Sequence, residues 1–373
     1  MPKRINRAIE LLEEDQPIYY TGPHSGHVLT YEEGLKDSQT WADYINVGME
    51  HGCFDMTALD NYIRGLIDGG PTKSGHRTPP IIVELPVEGT EENIVKYNAW
   101  QIRQILARGV HGLLLCTAES ADAVRAYVEA SRYPTNMNGV GEGLSRGTRG
   151  VGSENTAAPV LGVYRDEYLK KADPWPLNPD GEILLGLKIE TVRGLNHCEQ
   201  IFTVPGIGWA EMGPGDMHMS MGLIRDGHDD EKVEAARTRV NAACEKNGVK
   251  FLGGVHGGDS KVEALKKVID TGARIISGDD EDLAKEATAS AKNFDASLDV
   301  ATNQVIKSLS IDLLGEGISV ASISPGWVKT DSGGLNALID VNTSVTGIRN
   351  VIENLTIKNS GKFWDYNGEF IPW

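Results

Sequence analysis

The chain has 373 residues, 40% hydrophobic and 24% charged, which is enough apolar material for a large α/β domain plus a smaller one and argues against wholesale disorder. Its 36 basic and 53 acidic residues give a net charge of −17, so neither nucleic acid nor an anionic membrane is expected as the main partner. A small substrate held in a pocket escapes that argument.

The opening MPKRINRAIELLEEDQ spaces its apolar residues as an amphipathic helix does, and it lacks the apolar core of a secretory signal. Short apolar runs then alternate with helical patterns. Pro17–Tyr20, Tyr44–Val47, Ile81–Leu85 and Gly112–Leu115 are read as the first four strands. The run from Ile183 and the run Ile207–Met212 come fifth and sixth, Lys250–Gly254 and Ala273–Ser277 seventh and eighth. Helical patterns lie between them at Glu33–Ala42, Met56–Ile67, Glu91–Ala107, Glu119–Ala130, Asp230–Lys246 and Lys261–Asp270. Eight strand–helix units within about 290 residues predict a (β/α)8 TIM barrel. No apolar run approaches the roughly 18 residues of a membrane span. The four cysteines, Cys53, Cys116, Cys198 and Cys244, form no CxxC pair, so buried reduced thiols in a cytoplasmic protein are expected.

A long segment from Tyr133 to Asp180, rich in Gly, Asn, Arg and Pro, is read as a functional loop. Its Gly139-Val140-Gly141-Glu142-Gly143 follows no strong strand and precedes no Lys-Ser or Lys-Thr, so it is not read as a phosphate-binding turn. Arg146 and Arg149 in this loop are candidates for meeting a carboxylate.

Chemistry concentrates where strands end. The strand from Ile183 closes in Lys188-Ile189-Glu190, and the next closes in Gly213-Pro214-Gly215-Asp216. In a parallel α/β barrel the carboxyl ends of the strands share one face, so Glu190 and Asp216 are expected to meet there. Hard divalent cations take oxygen ligands, often one or two carboxylates with water and substrate completing the shell, and this pair fits that pattern. Alternatively, Glu190 caps the next helix and Asp216 belongs to a turn. His51, after the second strand, suits a general base near neutral pH or satisfies a loop carbonyl. Lys188 shares a strand face with Glu190, and a lysine aimed into a barrel needs an acidic neighbour or a reactive role.

The segments Gly109–Cys116 with Ala118-Glu119, Ser131-Arg132-Tyr133-Pro134, Lys188-Ile189-Glu190 and Gly213-Pro214-Gly215-Asp216, in this order, resemble the HpcH/HpaI aldolases. These are class II pyruvate aldolases on a (β/α)8 barrel of the phosphoenolpyruvate-binding type, and the likeness runs over roughly residues 15–290. The resemblance implies Glu190 and Asp216 as ligands of Mg²⁺, Mn²⁺ or Co²⁺, and His51 as the acid/base residue with Glu50 before it. It departs from the family at Gly48, where an Asp is usual, at Glu84 or a neighbour, where a third-strand Arg holds the pyruvyl oxygen, and at Lys188, where a Gln is usual. Lys188, Arg146 or Arg149 is expected to supply the missing positive charge. The implied reaction makes or breaks a C–C bond of a 4-hydroxy-2-oxo acid through a pyruvate enolate, with a 2-oxo acid and an aldehyde as small-molecule partners and a homo-oligomeric protein.

From about Ala291 the sequence resembles the C-terminal part of short-chain dehydrogenases, through Gln304–Leu313, Gly317–Val320 and Ile323–Asp331. The family's catalytic Tyr and Lys fall on Asp295 and Asp299, so hydride transfer is not expected of it. The chain therefore reads as a barrel over 1–290 and a non-catalytic α/β extension over 291–373, which packs on the barrel or on a second subunit. Two other readings stand beside the metal-dependent lyase. One makes Lys188 a Schiff-base nucleophile; the other makes the barrel a binding or scaffold protein.

Overall fold

The computed structural model describes residues 2–223, 231–254, 261–277, 281–282, 306, 309–311, 313–326, 328–329 and 339–371. It divides into two compact units, 1–289 and 290–373.

In the first unit, β1 (Ile18–Thr21), β2 (Tyr44–Gly48), β3 (Ile81–Glu88) and β4 (Gly112–Cys116) run parallel in sequence order. A two-residue strand β5 (Pro174–Trp175) lies beside β6 (Ile183–Ile189), which pairs with β4 and continues into β7 (Trp209–Met212), β8 (Lys250–Gly253) and β9 (Ala273–Ser277). Pairing of β9 with β1 closes the eight long strands into a parallel barrel. This is the TIM barrel that the alternating runs predict.

Strand alternation sorts the side chains into two cores. One face of the strands, with Val47, Val83, Leu113, Leu115, Leu185, Leu187 and Ile189, packs on the surrounding helices. The other face fills the barrel with Ile18, Tyr20, Tyr44, Ile82, Leu114, Leu184, Trp209 and Ile275. Burial on both faces explains why the strands read as nearly unbroken apolar runs. Gly186 is required within this packing, because a Cβ there would lie 2.3 Å from the Trp209 indole. Helix α1 (Arg7–Glu13) plugs the barrel's floor with Ala8, Ile9 and Leu12. Asn6 caps it, and the Asn6 amide also donates to the carbonyls of His111 and Glu182 at 3.0 and 3.2 Å.

The outer helices that matter below are α2 (Tyr31–Asp37), α3 (Met56–Gly69), α4 (Glu92–Leu106) and α5 (Ala121–Ser131). The 133–180 segment is not an extended loop. It folds into α6 (Glu154–Leu161) and α7 (Arg165–Lys171), and a buried bidentate pair, Arg132 to Asp173 at 2.6 and 3.0 Å, ties its far end to α5. Gly139, Gly141 and Gly143 all take left-handed φ in a tight turn bridged from Val140 to Leu144. Next come α8 (Val192–Ile201), α9 (Pro214–Ser220), α10 (Glu231–Lys246) and α11 (Lys261–Asp270). The four cysteines are free thiols; Cys116, Cys198 and Cys244 are buried as expected, whereas Cys53, in the loop between β2 and α3, is exposed. Among the described residues no helix is long and apolar enough to cross a membrane.

In the second unit, β10 (Ser322–Ser324) pairs in parallel with β11 (Phe363–Asp365), and β12 (Phe370–Ile371) pairs antiparallel to β11. The helix Val341–Glu353, capped by Asp340, connects β10 to β11 as a β-α-β unit. Asp295 and Asp299 lie outside the described residues.

Candidate functional site

At the carboxyl ends of the strands a cavity of about 390 Å³ is lined by Tyr20, His24, His51, Lys188, Glu190, Glu211, Asp216 and Arg237, with Met212–Gly215 along one wall. The two carboxylates expected to meet, Glu190 and Asp216, do line one cavity. Glu190 follows β6 and is buried, whereas Asp216 stands exposed in the first turn of α9, whose Pro214 occupies a first-turn position where no N–H is needed.

Glu190 is held from one side only. Thr117 donates to its Oε1 from the backbone N–H at 2.6 Å and from the hydroxyl at 2.9 Å. Thr117 does so with φ of 47°, a left-handed conformation that costs a β-branched residue energy and marks a constrained position. The other oxygen, Oε2, is buried and has no hydrogen-bond partner among the described residues. Gly213 presses on it, since a Cβ there would come within 2.7 Å of Oε2. Burial pushes the Glu190 carboxyl up to about 8, with Lys188 opposing and Glu50 adding to the rise. A carboxylate with one oxygen fixed and one unsatisfied, beside a second carboxylate on the same cavity, is a donor set that fits a hard divalent cation.

Lys188 projects into the barrel from β6 and is answered by carboxylates from three other elements. Its Nζ lies 2.7 Å from Glu50, 3.6 Å from Glu84 on β3 and 3.6 Å from Glu211 on β7. The strand register places Lys188 directly across from Glu211. Despite burial, the charges of Glu211 and Glu84 raise the Lys188 pKa well above its usual value, so the amine stays an ammonium. Ligand atoms of Glu50, Glu84 and Cys116 also lie within 4.8 Å of one another. The Lys188 ammonium already supplies the cation there.

His51 is 55% exposed on its side chain, with Nε2 3.6 Å from Glu50. A second imidazole, His24, is better held: Nε2 lies 2.8 Å from the Tyr20 hydroxyl, and Nδ1 pairs with Glu84. Asn46 donates to the same Glu84 at 2.8 Å. Burial works against the charge on Glu84, yet His24, Lys188 and Asn46 outweigh it and hold the carboxyl below its usual range. Burial also opposes charging of His24, but Glu84 and Glu211 raise its pKa.

Arg146 does not reach this cavity. Ser145 N–H donates to the Glu129 carboxylate at 2.7 Å, Thr148 N–H to the Glu129 carbonyl at 2.8 Å, and Arg149 N–H to the Arg132 carbonyl at 2.9 Å. Those bonds fasten the segment to the C-terminal end of α5, and in a (β/α)8 barrel that end of a helix lies at the rim opposite the strands' carboxyl ends. Arg146 is exposed there. Arg149 is buried with its guanidinium 4.3 Å from the Tyr133 ring centre, and it donates to the Tyr168 hydroxyl at 2.8 Å.

Sequence reasoning missed Tyr20, His24, Asn46, Thr117, Glu211 and Arg237. Glu211, in the apolar run WAEM directly across from Lys188, carried a usable signal, since a lysine aimed inward demands acidic partners on adjacent strands. The Arg237 Nη2 on α10 is buried and has no hydrogen-bond partner among the described residues, although Nη1 pairs with Glu234.

The HpcH/HpaI aldolase/citrate lyase family model matches residues 85–279. The hydroxypyruvate/pyruvate aldolase of Paraburkholderia phytofirmans is 28% identical over 235 residues, which is 63% of this chain and 76% of that protein. C-signal of Myxococcus xanthus is 42% identical over 73 residues, 20% of this chain and 44% of that protein, so less than half of its length is spanned. A crystal structure of an HpcH/HpaI aldolase/citrate lyase family protein from Burkholderia cenocepacia superposes with a TM-score of 0.56 at 22% identity, covering 77% of this chain and 98% of the other, a likeness of fold.

Proposed function

Because this chain belongs to the HpcH/HpaI aldolase/citrate lyase family, whose model covers residues 85–279, we propose that it is a carbon–carbon lyase that cleaves or forms a 4-hydroxy-2-oxo acid through a pyruvate enolate, with a divalent cation as cofactor. One observation carries the reading: the half-satisfied Glu190 carboxylate, fixed by Thr117 and facing the cavity that Asp216 and Lys188 share. The name of the Paraburkholderia relative supports a pyruvate-type donor.

Glu190 and Asp216 would hold Mg²⁺, Mn²⁺ or Co²⁺, which when bound supplies Lewis acidity at the substrate's 2-oxo oxygen. Lys188 takes the place of a guanidinium as the buried positive charge. Its ammonium has three N–H donors, and among the described residues only Glu50 is at hydrogen-bond distance, so two remain for the oxygens of a 2-oxo acid. Glu50 fixes the direction of that ammonium. An imidazole on the cavity, His51 or His24, removes the proton of the 4-hydroxyl in cleavage and returns a proton to the enolate carbon. The free Nη2 of Arg237 offers a second anion contact at the cavity's outer wall.

Lys188 held as an ammonium has no lone pair for a carbonyl, which argues against the Schiff-base reading. The C-terminal unit we read as a non-catalytic extension like the C-terminal part of a short-chain dehydrogenase; its β-α-β unit is the piece such a doubly wound sheet would contribute. The test is pyruvate release from a panel of 4-hydroxy-2-oxo acids with Mg²⁺, Mn²⁺, Co²⁺ or EDTA. Metal-dependent release from at least one substrate is expected. Tight metal binding with no release from any of them would favour a scaffold and overturn the proposal.

A further inference from the structure

Two imidazoles line the cavity, and their settings differ. His51 stands mostly in solvent, and the Glu50 oxygen 3.6 Å from it is already engaged by Lys188 at 2.7 Å. His24 sits in a continuous hydrogen-bonded chain: the Tyr20 hydroxyl at 2.8 Å on one ring nitrogen, the buried Glu84 carboxylate on the other, and Asn46 donating to that carboxylate at 2.8 Å. An imidazole that shuttles protons needs a group behind it to fix the tautomer and to stabilise the imidazolium. Among the two, His24 has one.

Backbone packing holds the arrangement in place. The loop after β1 lies against β2 so closely that a Cβ on Gly48 would come within 2.2 Å of the His24 carbonyl oxygen. Gly22, at φ of 102°, approaches the Asn46 carbonyl oxygen to the same hypothetical 2.2 Å. These contacts fix the backbone on which His24 sits, and the Tyr20 hydroxyl and the Glu84 carboxylate orient its ring. The charged groups facing it are Glu84 from β3, Lys188 from β6 and Glu211 from β7.

We propose that Tyr20, His24 and Glu84 form the proton-transfer chain of this site, with His24 as the acid/base residue and Glu84 as its positioning residue. The proposal rests on the lyase reading above. In cleavage the O–H bond of the substrate's 4-hydroxyl breaks and its proton passes to the Tyr20 oxygen as the phenol's own proton passes to His24 Nε2. The C3–C4 bond breaks, its electron pair goes to C3 of the enolate, and C4 becomes the aldehyde carbon. The imidazolium, held beside Glu84, returns its proton through Tyr20 to C3 and gives pyruvate. Tyr20 relays as a neutral phenol throughout, because burial raises its pKa.

The test uses the full-length protein with Mn²⁺ and reads pyruvate release together with deuterium entry into the methyl group of pyruvate in D₂O. His24→Asn and Tyr20→Phe should each lower kcat and the exchange rate by about 10²- to 10⁴-fold, with KM within about threefold. Glu84→Gln, if it folds, should move the acid limb of the kcat profile to lower pH, a shift that loss of packing alone does not produce. A His24→Asn protein that is folded and keeps kcat within about threefold of wild type overturns the proposal and leaves the lyase reading intact. A wild-type protein without metal-dependent release or exchange overturns both.

Discussion

Replacing Lys188 by Met removes the ammonium that faces Glu50, Glu84 and Glu211 while keeping the side chain's length and packing. Its Nζ lies 2.7 Å from Glu50 and 3.6 Å from both Glu84 and Glu211, and its side chain is 6% exposed, so solvent screens these contacts little. Removing one partner of a buried ion pair costs about 3–5 kcal/mol, because the remaining charge is left uncompensated. At roughly 2–4 °C per kcal/mol for a unit of this size, Tm should fall by about 10 °C. The loss has a defined pH dependence. Without the ammonium the carboxyls' folded pKa values rise above the unfolded value near 4.5, so the folded state binds the extra protons and stability falls as pH rises. The Lys188→Met deficit should therefore be small near pH 4.5 and largest above pH 7, and Lys188→Arg should recover most of it. Thermal unfolding of the three proteins from pH 4.5 to 8 checks this. A Lys188→Met protein within about 2 °C of wild type at pH 7.5 would refute the claim that this lysine compensates the acidic interior.

Thr117→Val removes the hydroxyl donor to Glu190 while keeping the shape, and loss of such a supporting bond should weaken Mn²⁺ binding about 10- to 100-fold by calorimetry. His111 is fully buried and accepts the Ile81 N–H on Nδ1 at 3.2 Å; burial first and His76 second push its pKa down to about 3. A histidine depressed in the folded state stabilises fully above its unfolded pKa near 6.5 and loses that stability as pH falls, here about 2–3 kcal/mol between pH 6.5 and 4.5. His111→Asn should flatten that limb of the Tm profile. Arg237→Gln should raise KM for a substrate with a second carboxylate by about tenfold while leaving KM for a one-carboxylate substrate within about threefold.

The barrel was legible because each strand is buried on both faces, so runs such as Gly112–Cys116 and Ile183–Leu187 stand out against the helical patterns around them. Glu190, Asp216 and Lys188 were legible as candidates because strand ends of a parallel barrel share a face. What the sequence hid is what barrel closure creates. Glu84, Lys188 and Glu211 come from β3, β6 and β7, and only the closed circle brings them to one ammonium. His24 lies in the loop sequence Gly-Pro-His-Ser-Gly, which has no periodicity, and its role depends on glycines 48 and 22 letting two backbones touch. Helices α6 and α7 read as loop in the sequence because each is short and α6 contains Pro159, which weakens a helical signal. Arg146 drew notice through its charge, while its position follows from hydrogen bonds to α5.

Diffraction at the manganese absorption edge from crystals soaked in Mn²⁺ tests the central claim most directly. One anomalous peak bonded to the Glu190 Oε2 and to the Asp216 carboxylate is expected. A peak among Glu50, Glu84 and Cys116 with Lys188 displaced, or no peak in the cavity at all, would contradict it.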